Sequence, residues 1–217
     1  MASTNWAANC LGIANVALTL VGTRLLSSYT DNSKECVLIS TNWDFYRLAV
    51  LRDGFYNCAT NRAVLTQNQN YTAPFGFTNQ FLLPPDFVRV KWLMGDSGPM
   101  QDDTSAYRIE NGNLLTNMSQ INLVYVFNLI NPALMDPLLS DAFAAYIAKE
   151  ICYSLTNSDS LKQDMQKEYK LRRQRALFVN GAENPAEVID ADIWLRARMV
   201  IPSFPRDPGS ITFVPGP

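Results

Sequence analysis

Residues 121–156 read INLVYVFNLINPALMDPLLSDAFAAYIAKEICYSLT, and this stretch contains the change from strand to helix that decides the fold. Its first seven residues, Ile121–Phe127, are rich in β-branched and aromatic side chains, which favours a strand. Asp136-Pro137 indicates a helix start, because proline is tolerated at the first helical position. The apolar residues that follow recur every four positions and therefore share one helix face, namely Leu139, Phe143, Ile147, Ile151 and Leu155.

Three more helices are predicted around this one. A polar turn at 156–160 leads into a last long helix over about 160–179, so the two helices should be antiparallel. Earlier helices over about 4–21 and 31–53 show apolar steps of three and four residues. The predicted fold is therefore α+β but mainly α, with four long helices in a bundle of two antiparallel pairs.

A β-rich insertion separates the two helix pairs, at about 55–127. Within it, Asn111-Gly112 lies between two strand-like runs, and this dipeptide favours a type I′ turn because both central residues need positive φ. We therefore expect a β-hairpin inside the insertion.

The C-terminal residues differ in character from the core. Five of the 12 prolines lie between Pro202 and Pro217, which excludes a helix there. Large apolar residues nevertheless continue through this stretch, and a solvated tail has no use for them. The predicted organisation is a helical core with its insertion at 1–182 and an extended docking arm at 183–217.

Composition argues against catalysis. The chain has no histidine, which excludes histidine-based general bases and histidine-ligated metals. Its four cysteines are dispersed without a C-x-x-C pair, and Cys10 and Cys36 fall on apolar stripes where buried thiols are expected. We therefore expect no enzyme activity, no metal and no cofactor. The first nine residues show no signal-peptide pattern, so synthesis in the cytoplasm is expected.

Two alternatives remain open. Asp102-Asp103 and Asp190-Ala191-Asp192 are candidate carboxylates for a cell-wall hydrolase, although both lie in polar, turn-like sequence. The helix at 160–179 carries a basic face, which is one way to build a nucleic-acid-binding module. A formal net charge of −2 argues against tight wrapping of nucleic acid.

Several short segments, taken in order, resemble one known family. They are NVAL at 15–18, DFYRLAVLR at 44–52, LLPPDFVRV at 82–90, NPALMDPLL at 131–139 and WLRAR at 194–198. The resemblance is to the tail tubular protein A family, the head-to-tail adaptors of short-tailed bacteriophages. It extends over nearly the whole chain.

The resemblance implies a structural virion protein at the portal–tail junction. Its partners would be further copies of itself in a ring, expected to be a dodecamer, the portal protein, the tail nozzle protein and tail fibres. Genomic DNA would pass through the lumen without sequence-specific binding, and no membrane would be involved.

The resemblance and the patterns together suggest three sets of contact residues. The portal-docking arm would use Ile189, Ile193, Trp194, Arg196, Arg198 and Phe204. A tail-facing hairpin would present Tyr107, Asn111, Gly112 and Leu114. Contacts with neighbouring subunits or the portal would come from Lys170, Arg172, Arg173 and Arg175.

Overall fold

The computed structural model describes residues 5–72, 75–95, 98–99 and 107–183. Within these residues the helices are α1 (Leu11–Val21), α2 (Lys34–Asp53), α3 (Pro137–Thr156) and α4 (Asp159–Ala182). The strands are β1 (Thr60–Val64), β2 (Asn79–Leu82), β3 (Phe87–Gly95), β4 (Gly98–Pro99), β5 (Tyr107–Glu110), β6 (Asn113–Thr116) and β7 (Ile121–Phe127). No described helix is both long and apolar enough to span a bilayer.

Side-chain caps set the starts of the long helices. The Ser33 hydroxyl accepts a hydrogen bond from the Cys36 backbone N–H, and the Asp136 carboxylate accepts from the N–H groups of Leu138 and Leu139. Such caps satisfy backbone donors that the first helical turn leaves without a partner. The predicted starts of α2 and α3 are thereby confirmed.

The helices pack around α3, whose alanines allow close approach. Both α1 and α2 pack against α3, and α4 folds back on it after the short turn at Asn157. Trp43 of α2 lies at the centre, with its ring centroid 5.3 Å from that of Trp6 and 4.9 Å from that of Phe143. The fully buried alanines of α3 are Ala142, Ala144, Ala145 and Ala148.

The prediction of four long helices in a bundle of two antiparallel pairs is wrong, although a mixed α+β class is correct. The first helix has only 11 residues, because the segment before it makes other contacts. There the Asn5 side chain donates to Asp44 at 2.8 Å, and the Trp6 indole N–H donates to the Tyr29 carbonyl at 2.6 Å. The predicted α1–α2 pair does not form either, since each of these helices packs chiefly on α3.

The end of α4 also differs from expectation. Asn180-Gly181 lies inside the last turn of the helix instead of ending it. The Asn180 side chain accepts from the Asn57 backbone N–H at 2.6 Å and donates to the Phe55 carbonyl at 2.9 Å. This asparagine therefore ties α4 to the start of the β-rich region.

Two antiparallel sheets form the β-rich region. Sheet A has the strand order β1-β7-β3-β4, where β4 has only two residues, and sheet B has the order β2-β6-β5. Asn111 and Gly112 have φ values of 47° and 71°, as the predicted hairpin turn requires. A second apolar core belongs to these sheets, built from Leu65, Phe81, Leu93, Leu114, Ile121, Leu123 and Tyr125.

Candidate interaction surfaces

The predicted tail-facing hairpin is divided between the surface and the second core. Asn111 and Gly112 are exposed at its tip. Leu114, in contrast, is fully buried, and Tyr107 packs against the same core. The turn and the exposed residues 108–110 of β5 are therefore available to a partner, while Tyr107 and Leu114 hold the hairpin in its own subunit.

The basic face of α4 is largely used within the subunit. Arg172 is hydrogen-bonded to Asp141 of α3, and its Nε donates to Glu168 at 2.7 Å. Arg173 pairs with Asp53 at the end of α2, with 2.6 Å between Arg173 Nε and Asp53 Oδ2. Two of the four predicted contact residues on this helix thus connect α4 to α3 and α2.

The remaining predicted contact residues of α4, Lys170 and Arg175, are exposed.

The charge of Arg172 is fixed by its surroundings. Burial opposes the charge of Arg172, but its hydrogen bonds and the charges of Glu168 and Asp141 outweigh this effect and raise its pKa. Arg172 therefore stays cationic. The helix offers a partner fewer charges than its sequence suggests.

Asp53 also accepts a hydrogen bond from the Tyr169 hydroxyl at 2.7 Å. Burial and the neighbouring Asp53 carboxylate raise the pKa of Tyr169, so the hydroxyl remains a donor. The Asp53 carboxylate at the end of α2 thus binds two side chains of α4, Tyr169 and Arg173. These contacts stabilise the packing of α4 against the end of α2.

A buried arginine connects α2 to the loop after β7. The Arg47 side chain is 1% exposed; it is hydrogen-bonded to Asn128, donates to the Leu129 carbonyl at 3.0 Å and pairs with Asp44 at 2.8 Å. Burial alone would raise the pKa of Asp44, but hydrogen bonds from Arg47 and Asn5 lower it overall. The pair is part of the framework of the subunit.

Two helices present apolar side chains to solvent. One face of α2 carries Val37, Thr41, Phe45 and Leu48, which we call the α2 stripe; all four are exposed, Phe45 by 69%. One face of α4 carries Leu171, Gln174 and Phe178, which we call the α4 stripe; Leu171 is 62% and Phe178 79% exposed. Residues three and four apart lie on one helix face, so each set follows a single face; on α4 the polar Gln174 lies between the two apolar residues.

A third surface lies on sheet A. The face of this sheet that packs under the helices at Val126 continues beyond them to Val124, Trp92 and the exposed Val64. A groove of about 350 Å³ runs along it. Basic side chains lie at its helical end.

Several predicted features lie outside the described residues. These include the docking-arm residues Ile189, Ile193, Trp194, Arg196, Arg198 and Phe204, and both carboxylate sets, Asp102-Asp103 and Asp190 with Asp192. Within the described part of the chain, no group of three or more cysteine, aspartate or glutamate residues is placed to hold a metal ion. Cys10 and Cys36 are buried thiols, as their positions predict.

Comparisons with known proteins gave no match to a protein-family model and no match to a curated protein.

Sequence reasoning missed the α2 stripe, although the sequence contains the signal. Besides its core positions, α2 has a second apolar set at 37, 45 and 48, which follows the same helical spacing on the neighbouring face. A helix that is apolar on two faces predicts either complete burial or a second contact surface. The basic residues around sheet A carry no comparable local signal, because they come from three separate elements.

Proposed function

We propose that this protein is a structural subunit of a virion, a head-to-tail adaptor that forms a ring between the portal and the tail nozzle. Genomic DNA would pass through the centre of the ring. The family resemblance of the sequence suggests this role. The observation that carries it is the pair of uncovered apolar stripes on α2 and α4.

The stripes support assembly because large apolar side chains gain by leaving water. Burying one such side chain is worth about 1.5–3 kcal/mol, and contiguous exposed apolar patches mark contact sites. Phe45 and Phe178 protrude from two different helices of one subunit. Each is therefore a candidate anchor for a partner.

Two different faces are also what a ring requires. A head-to-tail interface joins one patch to a second, different patch on the next copy, and it closes into a ring when the rotation permits. The simplest assignment places the α2 stripe of one copy against the α4 stripe of its neighbour. Each subunit then uses both stripes, and the ring has no unsatisfied end.

Imaging tests the function directly. Negative-stain electron microscopy of the purified full chain should show rings with a central opening. When the purified portal protein of the same phage is added, the rings should be found stacked on the portals. Purified protein that stays monomeric at high concentration and does not bind portals would contradict the proposal.

Charge placed on each stripe tests the head-to-tail geometry. Phe45→Asp and Phe178→Asp should each prevent ring formation in sedimentation velocity. A mixture of the two variants should form heterodimers and nothing larger, because each variant keeps one intact stripe that fits the intact stripe of the other. Homodimers of either single variant would instead show that a stripe pairs with itself.

Phe75→Asp is the matched control. Phe75 is 87% exposed but lies in the loop before β2, away from both stripes. The same substitution there should leave the rings intact. Loss of rings in this control would mean that any added charge disrupts assembly.

A further inference from the structure

Four basic residues from separate parts of the sequence meet on one surface beside sheet A. The register pairs Val126 with both Thr60 and Arg89, and Val124 with both Arg62 and Trp92. Directly paired residues of neighbouring strands point to the same side of a sheet, so Arg89 and Arg62 share a face.

Lys91 and Arg52 complete this surface. The register of β3 shifts at Lys91, and its Nζ lies 3.5 Å from the Thr60 hydroxyl, on the same face. Arg52, near the end of α2, donates to the Val88 carbonyl at 2.8 Å. We call this set the sheet A patch: Arg52, Arg62, Arg89 and Lys91.

Two arginines of the patch, Arg52 and Arg89, are held in place by groups that do not neutralise them. The Arg89 guanidinium lies 4.3 Å above the centre of the Phe55 ring and donates to the Arg52 carbonyl at 3.0 Å. Among the described residues, no carboxylate forms an ion pair with Arg52, Arg62 or Arg89. A guanidinium has five N–H donors, so most of them remain available to a ligand.

Resting on the proposed function, we propose that the sheet A patch binds the phosphate backbone of double-stranded DNA and faces the DNA passage of the ring. Guanidinium groups match phosphate geometry and bind it with paired hydrogen bonds. The three arginines form no ion pair with a carboxylate among the described residues, so their positive charge favours a polyanion as the ligand.

The size of the patch suits DNA that must move. Each phosphate contact contributes about −0.9 to the slope of log K against log salt, so four contacts give a slope near −4 at most. Binding of this kind has dissociation constants on the order of 10⁻⁴ to 10⁻⁶ M and carries no sequence preference. The DNA would be centred in the passage by weak contacts that exchange rapidly.

Fluorescence anisotropy with a labelled duplex of about 20 base pairs, at about 50 to 200 mM KCl, tests the proposal on the full chain. The variant Arg52→Gln/Arg62→Gln/Arg89→Gln should bind at least about tenfold more weakly and lower the magnitude of the salt slope by about 3. The control Arg24→Gln/Arg108→Gln/Lys162→Gln removes the same charge from exposed positions outside the patch and both stripes, and it should bind within about twofold of the unaltered chain.

Three outcomes would overturn the proposal. Equal losses in the two triple variants would mean that only overall charge matters. An unaltered chain that does not bind the duplex at the lowest salt would exclude a DNA surface. Poly-glutamate competing as well as DNA at equal charge would identify an acidic polypeptide as the ligand.

Sedimentation velocity on the same samples separates this proposal from the proposed function. Rings that form but do not bind DNA would refute the sheet A patch alone. A chain that forms no rings, yet binds duplex through the patch, would refute the adaptor ring and the placement of the patch in its lumen.

Discussion

The basic face of α4 and the sheet A patch contain the same kind of side chain in opposite circumstances. On α4, Arg172 and Arg173 are bound by carboxylates of their own subunit. In the sheet A patch, Arg52 and Arg89 donate hydrogen bonds to main-chain carbonyls, and neither forms an ion pair within the part of the chain that the structure describes. The face that is conspicuous in the sequence is thus the more structural one, and the dispersed set is the better candidate for a ligand.

This contrast has a simple cause. A carboxylate beside an arginine satisfies both its charge and its hydrogen-bond donors, and the pair then stabilises the fold. A carbonyl positions the guanidinium without removing its charge. Counting cations along a helix therefore does not measure what a surface can bind.

The largest effect is expected at Arg47, the arginine that the fold uses most completely. Arg47→Ala should lower the free energy of unfolding by about 3–5 kcal/mol, because it removes a buried cation from Asp44 and takes a hydrogen-bond donor from Asn128 and from the buried Leu129 carbonyl. Urea denaturation followed by circular dichroism measures it. Arg47→Lys should retain part of the stability, since lysine keeps the charge but not the fork of donors. A loss below about 1 kcal/mol for the alanine variant would contradict this reading.

A smaller loss is expected on α4. Arg172→Ala should cost about 1–2 kcal/mol, because it separates two carboxylates from their common partner at a position that water partly screens. Lys170→Ala, on the exposed side of the same helix, should change stability by less than about 0.5 kcal/mol. If the two variants lost equal amounts of unfolding free energy, ion-paired and exposed cations on this helix would not differ in their contribution to stability.

Acid should weaken the framework through Asp44. The pKa of Asp44 is lowered in the folded protein, so the unfolded chain binds a proton more readily. The free energy of unfolding must therefore decrease as the pH decreases. The contribution is complete above the ordinary aspartate pKa of about 4 and disappears as the pH passes below the folded value. Urea titrations from neutral pH downward should show a shallower decline for Asp44→Asn than for the unaltered chain. Parallel curves would show that Asp44 does not contribute to the slope.

The smallest effect on stability is expected in the sheet A patch. Arg62→Ala should change the free energy of unfolding by less than about 0.5 kcal/mol. The Arg62 side chain is exposed and forms no ion pair with a carboxylate of the described residues. Urea denaturation checks this, and duplex binding measured on the same sample should weaken. A destabilisation as large as that of Arg172→Ala would place Arg62 in the fold and out of the ligand surface.

Much of the local structure could be predicted because local chemistry decides it. Ser33 and Asp136 cap helices through hydrogen bonds to N–H groups two or three residues away, and Asn111-Gly112 forms its turn from backbone preference alone. These signals involve neighbours in the sequence, so the sequence contains all the information needed. The same holds for the core positions of α2, where Cys36, Ile39, Trp43 and Val50 are buried.

The arrangement of helices could not be predicted in this way. Periodicity along residues 4–21 is correct about which side chains turn inward, yet the segment around Asn5 and Trp6 leaves the helix to contact Asp44 and Tyr29. Those contacts join residues far apart in the chain, and no local pattern announces them. Helical pairing likewise depends on which apolar faces fit, and the alanine-rich α3 accepts all three other helices.

Most helix and strand positions, the caps of α2 and α3, the hairpin turn and the exclusion of histidine chemistry follow from the amino-acid sequence, since each depends on residue type or on near neighbours. Which charges remain available to a ligand depends instead on the three-dimensional arrangement. Arg172 and Arg173 are neutralised by Asp141, Glu168 and Asp53, two of which belong to other helices. The sheet A patch exists because antiparallel pairing brings Arg62 and Arg89 to one face, where the end of α2 adds Arg52. Electrostatic interactions act through space, so the distance along the chain says little about them.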